Sequence, residues 1–572
     1  MPFPLDLKSL TKIAAGQKPA ELVLKNGNLV NLFTGRLEKA DLALDQGVIA
    51  GIGSYKGKKE IDLKGLFVCP GFMDSHMHVE STMLSPGELA RAVCPHGTST
   101  VFADPHEIAN VMGSVGVTAM IMAARGLPVE FLFEAPSCVP ATHLETSGAR
   151  LSAADLAELR RFPELIGLAE MMNFPGVVHA EQGVMDKLEA FKDMPIDGHA
   201  PFLSGNDLNA YCAAGPASDH ECSTIDEAHE KLSRGMWIML RQGTGAKNLV
   251  DLLGVVTPRT ERRCLLATDD RHPDELANEG HMDALLRLAV GHGLDPISAL
   301  CMVSLNTAQR FGLKRQGALA PGYQADLALV KDLTNFQVEM VFKKGNLVAQ
   351  SGQALEFKTP AFADAARQTV NIGKLNKDSF TPLIKGSRIR ALELIPGQLL
   401  TKELIIPTPQ SKGRLTAAPE QDLALLAVLE RHHASGRVGN GLIKGLGLKK
   451  GALAGSVAHD SHNLIVAGAD AESMFTAAQR VNGMQGGLAV ALGDQVLADL
   501  PLPLAGLMSD QPLFKVLDGL GKLRKAARRL TDMEEPFMLL SFVALPVIPD
   551  LRITDQGLVD VNAFKRVELF YD

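Results

Sequence analysis

Pro70-Gly71-Phe72-Met73-Asp74-Ser75-His76-Met77-His78 is the stretch on which the reading of this chain turns. A short apolar run feeds an H-x-H pair, and in an extended strand the side chains of residues i and i+2 share a face. His76 and His78 therefore project the same way, as two ligands of one cation must. An H-x-H also arises by accident or as two solvated histidines, so the weight falls on what the rest of the chain supplies around it.

Residues 71–311 alternate short apolar runs with helical stretches. Thr98-Ser99-Thr100-Val101-Phe102-Ala103, Leu165-Ile166-Gly167-Leu168-Ala169 and Cys264-Leu265-Leu266-Ala267-Thr268 read as strands, and 114–126, 184–191 and 281–291 as helices. Such alternation marks a (β/α)8 barrel or a doubly wound sheet, which length alone does not separate. The polar residues favour the barrel. Glu170 follows Gly167-Leu168-Ala169, His199 follows Ile196-Asp197-Gly198, His220 follows Ala217-Ser218-Asp219, and Asp269 ends Leu265-Leu266-Ala267-Thr268. Each stands where a barrel strand delivers a catalytic side chain. Steps of 29 residues (170 to 199), 21 (199 to 220) and 49 (220 to 269), at ~30 residues per βα unit, fit strands four, five, six and eight, with the H-x-H on strand one. Four histidines and two carboxylates at one barrel mouth make a binuclear site for hard or borderline cations. Singly, each has an ordinary alternative as a helix cap, a turn aspartate or a hydrogen-bonded core histidine.

The flanking segments differ in kind. Leu22-Val23-Leu24-Lys25, a turn at Asn26-Gly27 and Asn28-Leu29-Val30-Asn31 read as a hairpin, and 41–50 as a second one turning at Asp45-Gln46-Gly47. Residues 341–348 echo 23–30, so one β domain, 1–70 plus 312–365, is expected to be interrupted by the barrel, 71–311. A polar, proline-containing stretch from Gln353 through Pro382 reads as a linker. Residues 375–572 then form a further unit, with helices expected at 421–433, 471–483 and 514–530 and strands at 464–467 and 539–545. The expected fold class is α/β: a (β/α)8 TIM-like barrel with a discontinuous β-sandwich domain and an additional C-terminal α+β domain.

Composition narrows the partners. Of 572 residues, 46% are apolar and 21% charged, the net charge is −8 and aromatics make up 5%. That is an ordinary globular composition with no basic footprint or stacking surface for nucleic acid. The 7 cysteines form no C-x-x-C pair, which points to a reducing compartment. The N-terminal Met1-Pro2-Phe3-Pro4-Leu5-Asp6-Leu7-Lys8 lacks the layout of a signal peptide. The longest mostly apolar run, 537–548, falls short of the ~20 residues that span a bilayer. A soluble cytoplasmic protein with no membrane partner is expected.

The frame Gly71-Phe72-Met73-Asp74-Ser75-His76-Met77-His78, with Pro321-Gly322-Tyr323-Gln324-Ala325-Asp326 returning to a β domain, resembles the amidohydrolase superfamily. More narrowly, five stretches resemble the bacterial adenine deaminases: His76-Met77-His78-Val79-Glu80-Ser81, Ala103-Asp104-Pro105-His106-Glu107-Ile108, Ala169-Glu170-Met171-Met172-Asn173, Thr268-Asp269-Asp270-Arg271-His272-Pro273 and Ala458-His459-Asp460-Ser461-His462-Asn463. The resemblance spans nearly the whole chain. It implies hydrolytic deamination of adenine to hypoxanthine and ammonia, a purine-salvage reaction, at a pair of divalent cations, Mn(2+) or Fe(2+), with Zn(2+) the alternative. Carried over, His76, His78 and Asp269 would hold the more buried ion, Glu170 would bridge, and His199 and His220 would hold the second. Many relatives bridge with a carbamylated lysine. Here Glu170 stands at that position and the nearest lysines, Lys187 and Lys192, fall in the next helical segment, which agrees with the deaminase branch.

On this reading Glu170 and Asp269 are the catalytic carboxylates, Asp269 accepting the proton of the attacking water and passing it on. Asp104, His106, Glu107 and Asp270 are candidates for contacting the purine edge, with a structural turn or an ion-paired loop as the competing reading. Glu80 is a candidate for orienting the ligands. The His459-Asp460-Ser461-His462-Asn463 segment either reaches the barrel mouth, holds a further cation, or forms a turn before the strand at 464–467. The single-zinc deaminase design, H-x-E with P-C-x-x-C, is excluded: His179-Ala180-Glu181 mimics its first half, but no P-C-x-x-C occurs. The rival functions are a cyclic amidase opening a ring C–N bond and a non-catalytic metal- or purine-binding protein. A homodimer is expected, with adenine and water as the small-molecule partners.

Overall fold

The computed structural model describes residues 5–395, 398 and 400–571; the first four residues of the N-terminal stretch read above lie outside these. Strands Phe72–Met77, Thr98–Ala103, Glu130–Ala135, Leu165–Met171 and Ile196–Gly198 form one parallel sheet, and Ser218–Asp219, Trp237–Arg241 and Cys264–Ala267 another. The two sheets join at both edges. Ala217 N–H donates to the Ile196 carbonyl at 3.0 Å, and Asp269 N–H to the His76 carbonyl at 3.0 Å. The result is a TIM-like barrel whose seam lies at the two residues read above as ligands.

These strands are covered on both faces: Thr98–Ala103 and Cys264–Ala267 are buried throughout. Met73, Phe102, Leu132, Met239 and Leu265 fill the barrel interior, and the Phe102 ring stacks on Phe311 with centroids 3.9 Å apart. The interior is thus packed, and open chemistry is confined to the mouth. The helix His106–Ala124 is long and apolar enough to cross a membrane, but 72% of its most apolar window is buried. It breaks at Gly113, whose φ of 61° and ψ of −148° suit a residue without a Cβ.

Strand Phe67–Pro70 lies between Ala20–Asn31 and Leu327–Val330 in a nine-stranded sheet. Gly71 leads from it into the barrel, and a Cβ there would sit 2.6 Å from Ser99 Cβ. Buried Lys343 fastens the sheet to the barrel: its Nζ donates to Ser99 O at 2.9 Å, Glu130 Oε2 at 3.0 Å and Asp326 Oδ2 at 2.7 Å. Beyond residue 387, strands Arg388–Leu394, Thr401–Pro407, Leu423–Leu429, Val438–Lys444, Ala452–Gly455, Leu464–Gly468, Gly487–Leu492 and Gln495–Pro501 form a second large sheet. It docks on the mouth side of the barrel. Ser509 N–H donates to Met83 O at 2.8 Å, Leu513 N–H to Glu88 Oε2 at 3.0 Å, and Thr146 Oγ1 to Asp555 Oδ2 at 2.7 Å.

Three expectations need correction. Asn26-Gly27 is not a turn: Ala20–Asn31 is one strand, and the pairing with its neighbour slips by a residue between Leu24 and Gly27, a bulge with Asn26 at φ 58°. Residues 421–433 are not helical. Their apolar run is the buried strand Leu423–Leu429, paired on both sides. Residues 539–545 are not a strand but fall on the helix Pro536–Val543, opened by a proline at its first position.

Lys231 is wholly buried beneath the sixth strand. Its Nζ donates to Ala200 O at 2.6 Å, Asp219 Oδ2 at 2.7 Å and Glu227 Oε1 at 2.7 Å, so each ammonium proton has an acceptor. Burial alone would raise the Asp219 carboxyl; Lys231 outweighs it and holds the group at about 2. Lys231→Met leaves that carboxylate buried without its cation and is expected to destabilise the barrel by about 3–5 kcal/mol. The measurement is the urea midpoint, and an unshifted midpoint contradicts the assignment.

Candidate metal centre at the barrel mouth

His76 and His78 leave strand one on the same side, and both are buried. The imidazole of His76 stacks on that of His220 at 4.2 Å, stands edge-on to that of His78 at 4.9 Å, and has no hydrogen-bond partner at either ring nitrogen. A buried imidazole with neither nitrogen engaged is costly in a metal-free pocket. His78 Nδ1 lies 3.0 Å from the Asp104 carbonyl, a partner that can only accept. The Nδ1 proton is thereby fixed and the Nε2 lone pair left for a cation, the usual arrangement of a ligating histidine.

Glu170 occupies the centre. Its Oε2 lies 2.6 Å from His199 Nδ1 and 3.2 Å from His220 Nε2, and its Oε1 lies 3.5 Å from both His78 Nε2 and His106 Nδ1. Burial would raise this carboxyl, but His199 and His220 together hold it well below the ordinary range. Asp269 faces it across the mouth, with Oδ1 at 3.2 Å from His78 Nε2 and 3.7 Å from His76 Nε2. Asp269 sits at φ 58°, a left-handed conformation that aspartate tolerates better than most residues. Burial again opposes ionisation and Arg241 and His78 outweigh it, so the carboxyl is held well below its usual value.

The donors His76, His78 and Asp269 lie within 4.8 Å of one another, as do His76, Glu170 and His220, and His78, Asp104, His106 and Glu170. His199 joins through Glu170 and groups with His220 and Glu221 within the same limit. All six residues read as ligands thus meet in one place. Imidazole nitrogens with carboxylate oxygens suit Mn, Fe or Zn, and the unengaged His76 nitrogens fit a bound ion.

The four residues read as purine contacts are brought to the same mouth in different ways. Asp104 Oδ2 lies 3.1 Å from His106 Nδ1, so these two side chains engage each other beside Glu170. Glu107 and Asp270 share the Ser81 hydroxyl, at 2.9 Å and 2.5 Å. Burial, with Glu80 and Asp270 nearby, pushes the Glu107 carboxyl well up. The Ser81 hydroxyl is thus the donor shared by these two carboxyl groups. The C-terminal segment does reach the mouth: His459 Nδ1 lies 3.4 Å from Glu107 Oε1, and Asp460 Oδ1 lies 3.8 Å from His106 Nε2.

Sequence reading passed over Arg241 and Glu221. Arg241 Nη1 donates to Asp269 Oδ2 at 2.7 Å and its Nη2 to Glu221 Oε2 at 2.9 Å. Glu221 Oε1 lies 3.6 Å from His220 Nε2. The signal was available, because Arg241 ends the apolar run Ile238-Met239-Leu240 as Asp269 ends its own strand. Asp74, behind the H-x-H, accepts from Thr268 N–H at 3.1 Å and lies 3.0 Å from His281 Nε2, fixing the end of strand eight.

Residues 67–348 match the Amidohydrolase family and residues 398–565 the Adenine deaminase C-terminal domain. The chain is 47% identical over 563 residues to adenine deaminase 2 of Carboxydothermus hydrogenoformans, covering 98% of this chain and 99% of that protein. It is 49% identical over 562 residues to an adenine deaminase of Desulfatibacillum aliphaticivorans, covering 97% and 98%. A third relative, an adenine deaminase of Dehalococcoides mccartyi, is 47% identical over 566 residues, covering 98% and 99%. With identity at this level running end to end through barrel and C-terminal segment alike, the chain belongs to the adenine deaminase family of the amidohydrolases.

Proposed function

We propose that this chain hydrolyses adenine to hypoxanthine and ammonia in purine salvage, with His76, His78 and Asp269 holding one divalent cation, His199 and His220 a second, and Glu170 between them. The observation that carries the reading is the position of Glu170, within 3.5 Å of His78, His199 and His220, in a chain whose near-full-length relatives are adenine deaminases. Mn(2+) or Fe(2+) is the proposed pair, with Zn(2+) compatible with the same donors. When bound, the ions supply Lewis acidity, which lowers the pKa of water from 15.7 to roughly 7.

The protein's own groups account for the rest. Water adds at C6 of the purine, the C6–N bond breaks, and the amine leaves as ammonia. Asp269 receives the proton of the attacking water and returns it to the departing amine. Arg241 holds the second oxygen of that carboxylate at 2.7 Å, leaving Oδ1 turned toward the imidazoles. Asp104, His106, Glu107 and Asp270 surround the purine edge.

The wider setting follows the same reading. Pairing of Leu327–Val330 with Phe67–Pro70 supports a discontinuous β-sandwich, 1–70 and 312–365, around the barrel at 71–311, with 375–572 as a C-terminal α+β domain. All seven cysteines are free thiols, in keeping with a reducing cytoplasm. A homodimer without nucleic-acid or membrane partners completes the proposal.

Asp269→Asn keeps a metal-binding oxygen but removes the proton acceptor. It is expected to retain most of its metal and to lose about 10²–10⁴-fold in kcat; ammonia release near the wild-type rate would exclude Asp269 as the base. Stripping the protein with a chelator should abolish turnover, and Mn(II) or Fe(II) should restore it with the absorbance change of adenine to hypoxanthine. A new carboxylate product from a cyclic amide, with adenine untouched, would instead establish a cyclic amidase.

A further inference from the structure

Asp460 lies in the C-terminal part of the chain, far in sequence from the barrel, yet it is 3% exposed. Its Oδ1 is 3.8 Å from His106 Nε2, and the other nitrogen of that ring is 3.5 Å from Glu170 Oε1. The His106 imidazole therefore stands between Asp460 and Glu170 and places Asp460 beside the mouth. Asp460 Oδ2 is buried and has no hydrogen-bond partner. A buried carboxyl oxygen without a donor is costly, and the cost is removed only if something outside the protein supplies one.

The neighbours restrict what that is. The Glu145 carboxyl is pushed up to about 8 by burial and then by Asp460, so a second carboxyl is already crowded there. Glu80 Oε2, Asp104 Oδ1 and Glu107 Oε2 are also buried carboxyl oxygens without a hydrogen-bond partner. A third cation at Glu107, His459 and His462, which lie within 4.8 Å of one another, is disfavoured by the tautomer of His462. Its Nδ1 accepts from Ala458 N–H at 3.2 Å, which places the ring proton on Nε2, the atom that would have to bind the ion. The other face is closed by His459, whose ring stacks on Phe542 at 4.5 Å. Asp460 Oδ2 is left as a buried acceptor beside the mouth.

We propose that the C-terminal segment completes the base-binding pocket, with Asp460 Oδ2 accepting the imidazole N–H of the purine and so selecting the free base over nucleosides. The inference rests on the adenine deaminase reading. A free purine carries one imidazole N–H; a nucleoside, substituted at that ring, carries none. A site built around a substrate N–H rejects analogues lacking it far more strongly than an apolar wall does, because the acceptor is then buried unpaired.

The test uses the full-length Mn(II)-loaded enzyme with Asp460→Ala and Asp460→Asn. Hypoxanthine affinity, read by calorimetry, needs no turnover. It is expected to fall about tenfold or more in the alanine variant, and by less in the asparagine variant, which keeps one acceptor oxygen. For adenine, KM should rise while kcat changes less than about threefold. The preference for adenine over 9-methyladenine should narrow about tenfold or more in the alanine variant, a ratio that a purely structural role would leave alone. Should the alanine variant not fold, the asparagine variant carries both measurements. Wild-type hypoxanthine affinity and an unchanged 9-methyladenine ratio in an enzyme that still deaminates adenine would overturn the role of Asp460. A wild-type enzyme inert on adenine would instead remove the reading beneath it.

Discussion

The mouth of this barrel is organised around a buried anion. Glu170 is 3% exposed and would not remain ionised there by itself. His199 and His220 on one oxygen hold it well below the ordinary carboxylate range, and His78 and His106 lie 3.5 Å from the other. Asp269 repeats the device with Arg241 and His78. The arrangement leaves little tolerance: removing an imidazole leaves charge uncompensated in a low dielectric, and removing a carboxylate leaves several imidazoles crowded together. Lys231 beneath Asp219, Asp74 behind the H-x-H and Arg241 between Glu221 and Asp269 hold the strand ends to the positions this balance needs.

A second layer belongs to the C-terminal part. Its sheet docks on the mouth side of the barrel and carries His459 and Asp460 to within 4 Å of Glu107 and His106. The site is therefore assembled from two separately built surfaces. The barrel supplies the groups proposed to hold the cations, and the appended segment brings His459 and Asp460 beside them. That division gives the end-to-end similarity to adenine deaminases a physical meaning, since a barrel alone would present an open mouth.

Much of this was legible before any coordinates. Polar residues ending short apolar runs marked strand tips, and the spacing of Glu170, His199, His220 and Asp269 matched βα units well enough to bring all four to one place. The same rule, applied to Ile238-Met239-Leu240-Arg241, would have found the arginine. The failures have local causes. Leu423-Ala424-Leu425-Leu426-Ala427-Val428-Leu429 is rich in good helix formers, but it lies between two partner strands and is buried throughout; tertiary burial overrode propensity. In the helix Pro536–Val543 the run of Leu and Phe outweighed, in the reading, the proline at its first position. Asn26-Gly27 has the composition of a turn, but the chain there is held straight by neighbours on both sides and the excess residue is taken up as a bulge. Residues 459–463 were legible as one candidate for reaching the mouth, but the particular position of Asp460 depends on a docking geometry that no local pattern encodes.

The seam of the barrel has one further consequence. Asp269 N–H bonds to the His76 carbonyl, and Met77 bridges to Asp269, so the bonds that join the first strand to the last are made by the residues proposed to grip the cations and by their immediate neighbour. Ring closure thus places His76 and Asp269, nearly two hundred residues apart in the chain, side by side. Any ion that binds only the closed ring holds it shut by mass action.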